Sequence, residues 1–174
     1  MIKEEKKPIV ILETKHADSR ALNEGEELKK EDVEFDTKAH IDSVKKCGDF
    51  ISEKIKEQFK EHDHTKLGEH LEEFTKALSS RKTNDEFKKL PWWKVHLTER
   101  HHLNDKAPND VNLIDVLEMV CDCVSAGKAR SGEVYPIEID SKILQKAIKN
   151  TQKMLEDNIE VVSDEDEAKK LFKM

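Results

Sequence analysis

A long run of helical periodicity most constrains what this chain can form. From residue 37 onward, apolar residues recur at spacings of three, four or their multiples, with Lys and Glu between them. The first series is Ile41, Val44, Ile51, Ile55 and Phe59. It predicts a helix from about residue 37 to 60, capped by Asp36 or Thr37. Similar patterns predict helices near 65–80, 92–103 and 110–127, and a last one that begins at Asp140 or Ser141.

The composition agrees with a helical protein. Charged residues make up 40% of the 174 residues, and 5 Gly with 4 Pro leave little turn chemistry for hairpins. We therefore expect an all-α fold with an extended N-terminal arm. The arm spans residues 1–36, the helical domain 37–160 and an acidic tail 161–174. The apolar run Pro8–Leu12 predicts an edge strand or a docked segment within the arm, and it leaves a homo-oligomeric contact open.

Charge and cysteine content exclude several classes of protein. The net charge of -7 argues against non-specific binding to nucleic acid or to an anionic membrane. No apolar stretch is long enough to span a bilayer, and the N-terminus lacks a signal-peptide pattern. Three cysteines without a disulfide-framework spacing indicate a reduced compartment. These observations predict a cytoplasmic protein.

Histidines next to a His-Asp doublet indicate a metal site. In the segment His62-Asp63-His64-Thr65-Lys66, an imidazole and a carboxylate stand side by side, and both suit a divalent cation. Further imidazoles come from His40, His96, His101 and His102. None of these spacings is the i, i+4 pair of a single helix, so the ligands must come from several elements.

The helix predicted near 110–127 carries three acids on one stripe. Asp115, Glu118 and Asp122 lie at i, i+3 and i+7, while most of the remaining circumference is apolar. One interpretation is that the stripe faces water. The other is that a buried helix presents its acids to cations, because unpaired buried carboxylates are costly.

The order of these residues resembles the HD superfamily of metal-dependent phosphohydrolases, and within it a branch found in bacteria and their phages. The resemblance covers residues 38–127. It rests on an opening His40, the His62–Lys66 segment, His96 with His101-His102 and Asn104, and Glu118-Met119-Val120-Cys121-Asp122. It implies an HD-domain-like helical bundle. The spacing within the histidine cluster differs slightly from that of the branch. This difference weakens the prediction of a second metal ion more than the prediction of the first.

The resemblance also implies a ligand set. His40, His62, Asp63 and Asp122 would bind one metal, with Asp115 as the rival of Asp122. His96 and either His101 or His102 would complete a second site, His101 being preferred. The cofactor would be one or two divalent ions, namely Mn, Fe, Ni, Co, Zn or Mg.

Other residues would serve catalysis and substrate binding. Asp63 would orient the nucleophile, Lys66 would meet a phosphate, and Glu69 would act as a general acid or hold a ligand in place. Arg100 and His102 would contact the substrate, Arg100 as a phosphate clamp. The alternative for Lys66 and for Glu69 is an ordinary exposed side chain.

The function expected from this resemblance is hydrolysis of a nucleotide or related phosphate ester by a metal-activated water. The enzyme would be a phosphomonoesterase or a phosphodiesterase, and its partner a small phosphorylated substrate. The alternative is a non-catalytic helical module that binds a metal or a protein partner.

Overall fold

The structure, a computed structural model, describes residues 7–16, 27–80 and 83–163. Of these residues, 67% are helical and 6% lie in strands, which confirms an all-α protein. No helix within the described ranges has the length and apolar character needed to cross a bilayer.

The helices of the described residues are α1 (Lys30–Lys60), α2 (Leu71–Ser79), α3 (Asn84–Phe87), α4 (Pro91–His96), α5 (Leu103–Lys106), α6 (Leu113–Ser131) and α7 (Ser141–Asn158). Two single-turn 3-10 helices, His64–Lys66 and Gly68–His70, precede α2. The strands are β1 (Ile9–Leu12) and β2 (Ile159–Val162). The chain divides into two compact units, Met1–Glu53 with Met154–Met174, and Lys54–Lys153.

The first unit contains a two-stranded parallel sheet. Strand β1 pairs with β2, and Ile9 lies opposite Ile159 in the register. Leu12 packs with Ala39 of α1 in a small core. The strand predicted in the Pro8–Leu12 run is thus present, and its partner comes from the distant end of the chain. Residues 1–6 and 17–26 of the predicted arm, and residues 164–174 of the predicted tail, lie outside the described residues.

Helix α1 begins at Lys30, earlier than the predicted start at residue 37. Glu31 and Asp32 occupy its first turn, where negative charge interacts favourably with the helix dipole. The predicted cap residues therefore lie inside the helix. Asp36 is buried, and its carboxylate accepts a hydrogen bond from the backbone N–H of His16 at 2.6 Å.

The second unit has its core around α6 and α7. The buried residues Leu103, Val111, Met119 and Ala147 form one cluster. Leu103 directly follows His101 and His102, so this cluster packs the turn that carries the two histidines against α6.

Helix α6 has a defined start. The Asn112 side chain accepts from the backbone N–H of Ile114 at 2.8 Å, and the Asp115 carboxylate accepts from the Asn112 N–H at 2.8 Å. This reciprocal pair is a capping box, and it places the start of α6 three residues later than predicted.

Two of the predicted helices are interrupted where the site forms. Asp63 and Gly68 adopt left-handed backbone angles, with φ of 58° and 59°, so no continuous helix can begin at residue 65. The helix predicted over 92–103 ends at His96 and resumes at Leu103. The histidines at 101 and 102 consequently lie on a turn between α4 and α5.

Candidate metal centre

Five side chains from the second unit converge on one small volume. They are His62 and Asp63, which follow the end of α1, His96 at the end of α4, and His101 with His102 on the next turn. His96 is 1% exposed and His101 is 3% exposed. Uncompensated polar groups are rarely buried to this extent.

The distances between the converging atoms suit a shared cation. Asp63 Oδ1 lies 3.7 Å from His96 Nε2 and 3.8 Å from His101 Nε2. His62 Nε2 lies 3.7 Å from Asp63 Oδ2 and 3.6 Å from Asp122 Oδ1. These separations exceed hydrogen-bond length. Two donors bound about 2.1 Å from one tetrahedral ion would lie about 3.4 Å apart, which is close to the spacing observed.

Several of these atoms have no other role among the described residues. Asp63 Oδ1 and both ring nitrogens of His101 are buried and have no hydrogen-bond partner there. Among the described residues, three groups each bring three donor atoms within 4.8 Å of one another. The groups are His96, His101 and His102; His62, His101 and Glu118; and Asp63, His96 and Glu99. The donor set therefore fits a divalent ion that binds nitrogen and oxygen.

Polar groups behind His62 and His96 lie within hydrogen-bond distance of their Nδ1 atoms. His62 Nδ1 lies 2.9 Å from Glu118 Oε1, and His96 Nδ1 lies 2.8 Å from Thr65 Oγ1. His101 Nδ1 lies 3.6 Å from Glu118 Oε1. An imidazole held at Nδ1 turns Nε2 toward the centre, which is how metal-binding histidines are commonly oriented.

Glu99 holds the turn that carries the His-Asp doublet. Its carboxylate accepts from the backbone N–H of Asp63 at 2.7 Å and of Thr65 at 3.0 Å, and also from the Thr65 hydroxyl. Burial favours the neutral acid, but the His96 ring, with Nδ1 3.4 Å away, and the hydrogen bonds from Thr65 outweigh it and hold the pKa of Glu99 well below its usual value. The indole N–H of Trp92 donates to the Thr65 carbonyl at 2.9 Å and ties the same turn to α4.

The pKa values of the two neighbouring histidines are shifted in opposite directions. Burial, together with repulsion from Lys66 and from the protonated forms of His101 and His96, lowers the pKa of His102 to about 3. His102 is therefore neutral at pH 7, and its Nε2 lies 2.8 Å from His96 Nε2. Burial opposes the charged form of His101, but Glu118 and the charges of Glu99 and Asp122 raise the pKa of His101 above its usual value.

Lys66 lies beside the centre. Its Nζ lies 2.5 Å from Asp63 Oδ2, and its side chain is 21% exposed. A cation that borders both the carboxylate and solvent can meet an incoming anion.

Two of the three acids on the α6 stripe are buried, so the water-facing interpretation is wrong for them, while the Asp122 side chain is 29% exposed. Asp115 is 0% exposed and Glu118 is 4% exposed. Asp115 Oδ1 accepts from Arg100 Nε at 2.6 Å and from Gln58 Nε2 at 2.8 Å. Asp122, and not Asp115, has an oxygen beside His62.

The donors of Arg100 are engaged by two aspartates. Its Nε and Nη2 donate to Asp115, and its Nη1 donates to Asp110 at 3.1 Å. The predicted phosphate clamp is thus engaged in an internal ion pair.

Two other predicted residues are not brought into the cluster. His40 is exposed and lies on α1, in the first unit. The Glu69 side chain is 89% exposed and lies 3.5 Å from His70.

Sequence reasoning missed Glu99, and it named Thr65 only as a member of the His62–Lys66 segment, without a role of its own. Glu99 follows His96 by three residues and Thr65 follows His62 by three, which was the only signal available. In a chain with 38 acidic residues, this spacing does not stand out.

Residues 29–172 match a family described as a family of unknown function, DUF5662. No curated protein and no solved structure matches the chain. The matched range includes all of the converging side chains and most of the sequence. The chain therefore belongs to the DUF5662 family.

Proposed function

We propose that this protein is a metal-dependent hydrolase of phosphate esters, with a nucleotide or a related small molecule as substrate. One observation carries the proposal: Asp63 Oδ1 and His101 Nε2 are buried 3.8 Å apart, and neither atom has a hydrogen-bond partner among the described residues. The likeness of the residue order to the HD superfamily supports the choice of phosphate esters and an HD-like fold.

The residues that would hold the ion are His62, Asp63, His96, His101 and Asp122. Three nitrogens and two carboxylates suit Mn, Fe, Co, Ni or Zn better than Mg, which prefers oxygen ligands throughout. Asp63 directs Oδ1 toward His96 and His101 and Oδ2 toward His62. A carboxylate placed in this way can serve one ion or bridge two, with His102 as an additional ligand.

The chemistry follows from the donors around that position. A bound divalent ion supplies Lewis acidity and lowers the pKa of a coordinated water. Lys66 would pair with a phosphate oxygen, because its ammonium group lies at the solvent-facing side of Asp63. His102 is neutral at pH 7, so it adds no second positive charge that would repel the ion.

The test compares the purified protein with two variants. Metal content is measured by mass spectrometry, and phosphate release is followed on a panel of nucleotides and simple phosphate esters with Mn, Co, Ni or Zn added. Asp63→Asn removes the ligand charge and keeps a residue that tolerates the left-handed turn. Glu72→Gln on α2, whose side chain is 79% exposed, is the matched control.

We expect bound metal and turnover in the wild type and in Glu72→Gln, and loss of both in Asp63→Asn. Stoichiometric metal without turnover on any ester would favour a non-catalytic metal-binding module. Absence of metal under every loading condition would contradict the proposed function.

A further inference from the structure

We propose that Glu99 is a positioning residue for the metal centre: acting through Thr65, it holds His96 in the Nδ1–H tautomer and secures the left-handed turn at Asp63. This inference rests on the metal centre of the proposed function. Glu99 belongs to one of the three donor groups, but both of its oxygens accept backbone N–H groups, so we assign it to positioning the ligands and not to binding the ion. No sequence motif pointed to it.

The turn at Asp63 needs an external hydrogen-bond acceptor. Asp63 is the one non-glycine residue among those described with a positive φ, a backbone conformation that residues with a Cβ adopt only at a cost. Glu99 Oε2 accepts from the Asp63 N–H, and Glu99 Oε1 accepts from the Thr65 N–H. One carboxylate with a 3% exposed side chain thus binds both sides of the turn.

The hydrogen bonds around Thr65 determine the His96 tautomer. Both Glu99 oxygens already accept backbone N–H groups, which can only donate. The Thr65 hydroxyl has a single proton, and it is donated to Glu99 Oε1. At 2.8 Å from His96 Nδ1, the hydroxyl oxygen can then only accept, so Nδ1 carries the ring proton of His96.

The consequence lies on the other side of the ring. With its proton on Nδ1, neutral His96 keeps a lone pair on Nε2, which lies 3.7 Å from Asp63 Oδ1. His102 Nε2, 2.8 Å from His96 Nε2, must then be the donor in the metal-free protein. Glu99 would therefore orient two metal ligands, the His96 ring through Thr65 and Asp63 through the backbone.

The experiment uses the full chain in four forms: wild type, Glu99→Gln, Thr65→Val and the exposed control Glu72→Gln. Imidazole tautomers are read from long-range proton–nitrogen NMR of the metal-free protein. Affinity for Co²⁺ is measured by titration calorimetry, and the ligand geometry by the visible absorption of bound Co²⁺. Thermal unfolding of each metal-free form is recorded alongside.

We expect wild-type His96 as the Nδ1–H tautomer and His102 as the Nε2–H tautomer. Glu99→Gln offers one acceptor oxygen in place of two, so Co²⁺ affinity should fall about 10–100-fold with an altered spectrum. Thr65→Val keeps its backbone N–H but loses the hydroxyl. It should weaken Co²⁺ binding and mix the His96 tautomers with little change in unfolding temperature, while Glu72→Gln should match the wild type.

The outcomes separate the two proposals. Wild-type affinity and spectrum in both Glu99→Gln and Thr65→Val would reject the role of Glu99 and leave the metal centre standing, as would Nε2–H in wild-type His96. If Glu99→Gln does not fold, the Co²⁺ affinity of Thr65→Val and the His96 tautomer of the wild type test the role of Glu99. A wild type that binds no Co²⁺ would overturn both this inference and the proposed function.

Discussion

His62 and Glu118 form the closest imidazole–carboxylate contact of the site, with Nδ1 and Oε1 2.9 Å apart. Glu118 is buried on α6, and its second oxygen accepts from Gln58 Nε2 at 2.6 Å. The His62 ring is therefore held from behind, and its Nε2 is left beside Asp122. Glu118 of α6 thus determines the orientation of the His62 ring.

Replacing Glu118 should weaken metal binding without abolishing it. In Glu118→Gln the side chain keeps its shape but loses the charge that engages His62 and His101, so we expect Mn²⁺ affinity to fall about 10–100-fold in calorimetric titration. Glu57→Gln, whose side chain is 63% exposed on α1, is the control. Equal losses in the two variants would show that general surface charge, and not His62 orientation, governs affinity.

Removing the cation that pairs with Asp115 should destabilise the protein. Asp115 is fully buried, and in Arg100→Met its charge keeps only neutral partners, so the free energy of unfolding in urea should fall by about 3–5 kcal/mol. Asp110→Asn removes only the exposed partner of Arg100 and should cost less than about 1 kcal/mol. If Arg100→Met instead raised KM at unchanged stability, the phosphate-clamp prediction would be right.

Two glycine-to-alanine changes should have opposite effects on stability. A Cβ at Gly127 would lie 2.5 Å from the Glu133 carbonyl oxygen, so Gly127→Ala should cost about 1–3 kcal/mol. Gly48 on α1 has no neighbouring atom within 4 Å of its Cβ position, and Gly48→Ala should stabilise by about 0.5–1 kcal/mol. Thermal unfolding of both variants measures the difference, and a shared sign would contradict the close approach at Gly127.

Stability of the metal-free protein should decrease as the pH falls from about 6.5 to 3. The pKa of His102 is lowered to about 3, and the pKa values of Glu99 and Glu118 are also lowered. In this range the unfolded chain binds protons that the folded chain does not, so acid favours unfolding. The raised pKa of His101 affects stability in a different pH range. Its contribution to the free energy of unfolding is complete at low pH and is lost as the pH rises through the pKa of His101 in the folded protein.

Urea unfolding at several pH values in the presence of a chelator measures the slope of the free energy of unfolding against pH. His102→Asn should flatten it, because the residue whose protonation opposes folding is removed. An unchanged slope in that variant would assign the acid sensitivity to the carboxylates alone.

Adding metal should raise the unfolding temperature. A ligand that binds only the folded state at 100 times its Kd adds about 2.7 kcal/mol of stability. Scanning calorimetry with and without Mn²⁺ or Co²⁺ should show this increase in the wild type, and a chelator should reverse it. Asp63→Asn should show little increase, and an equal increase in that variant would place the ion elsewhere.

Part of the site was predictable because it depends on local sequence. The His62-Asp63 doublet, the histidines at 96–102 and the preference for an acid on α6 all rest on residue type and spacing. The choice between Asp115 and Asp122 was not predictable. Both lie on the same helical stripe, and only the position of Arg100 shows that Asp115 is already paired.

The amino-acid sequence by itself determined the long helices α1, α6 and α7, through apolar periodicity, and the kinds of donor that could bind a cation. Tertiary structure alone decided the pairing of β1 with β2, the left-handed turn at Asp63 and the burial of Glu99. The physical reason is that burial and hydrogen bonding depend on which segments pack together. Glu99 resembles any exposed glutamate until α4 and the turn at Asp63 enclose it, and its charge then becomes part of the site.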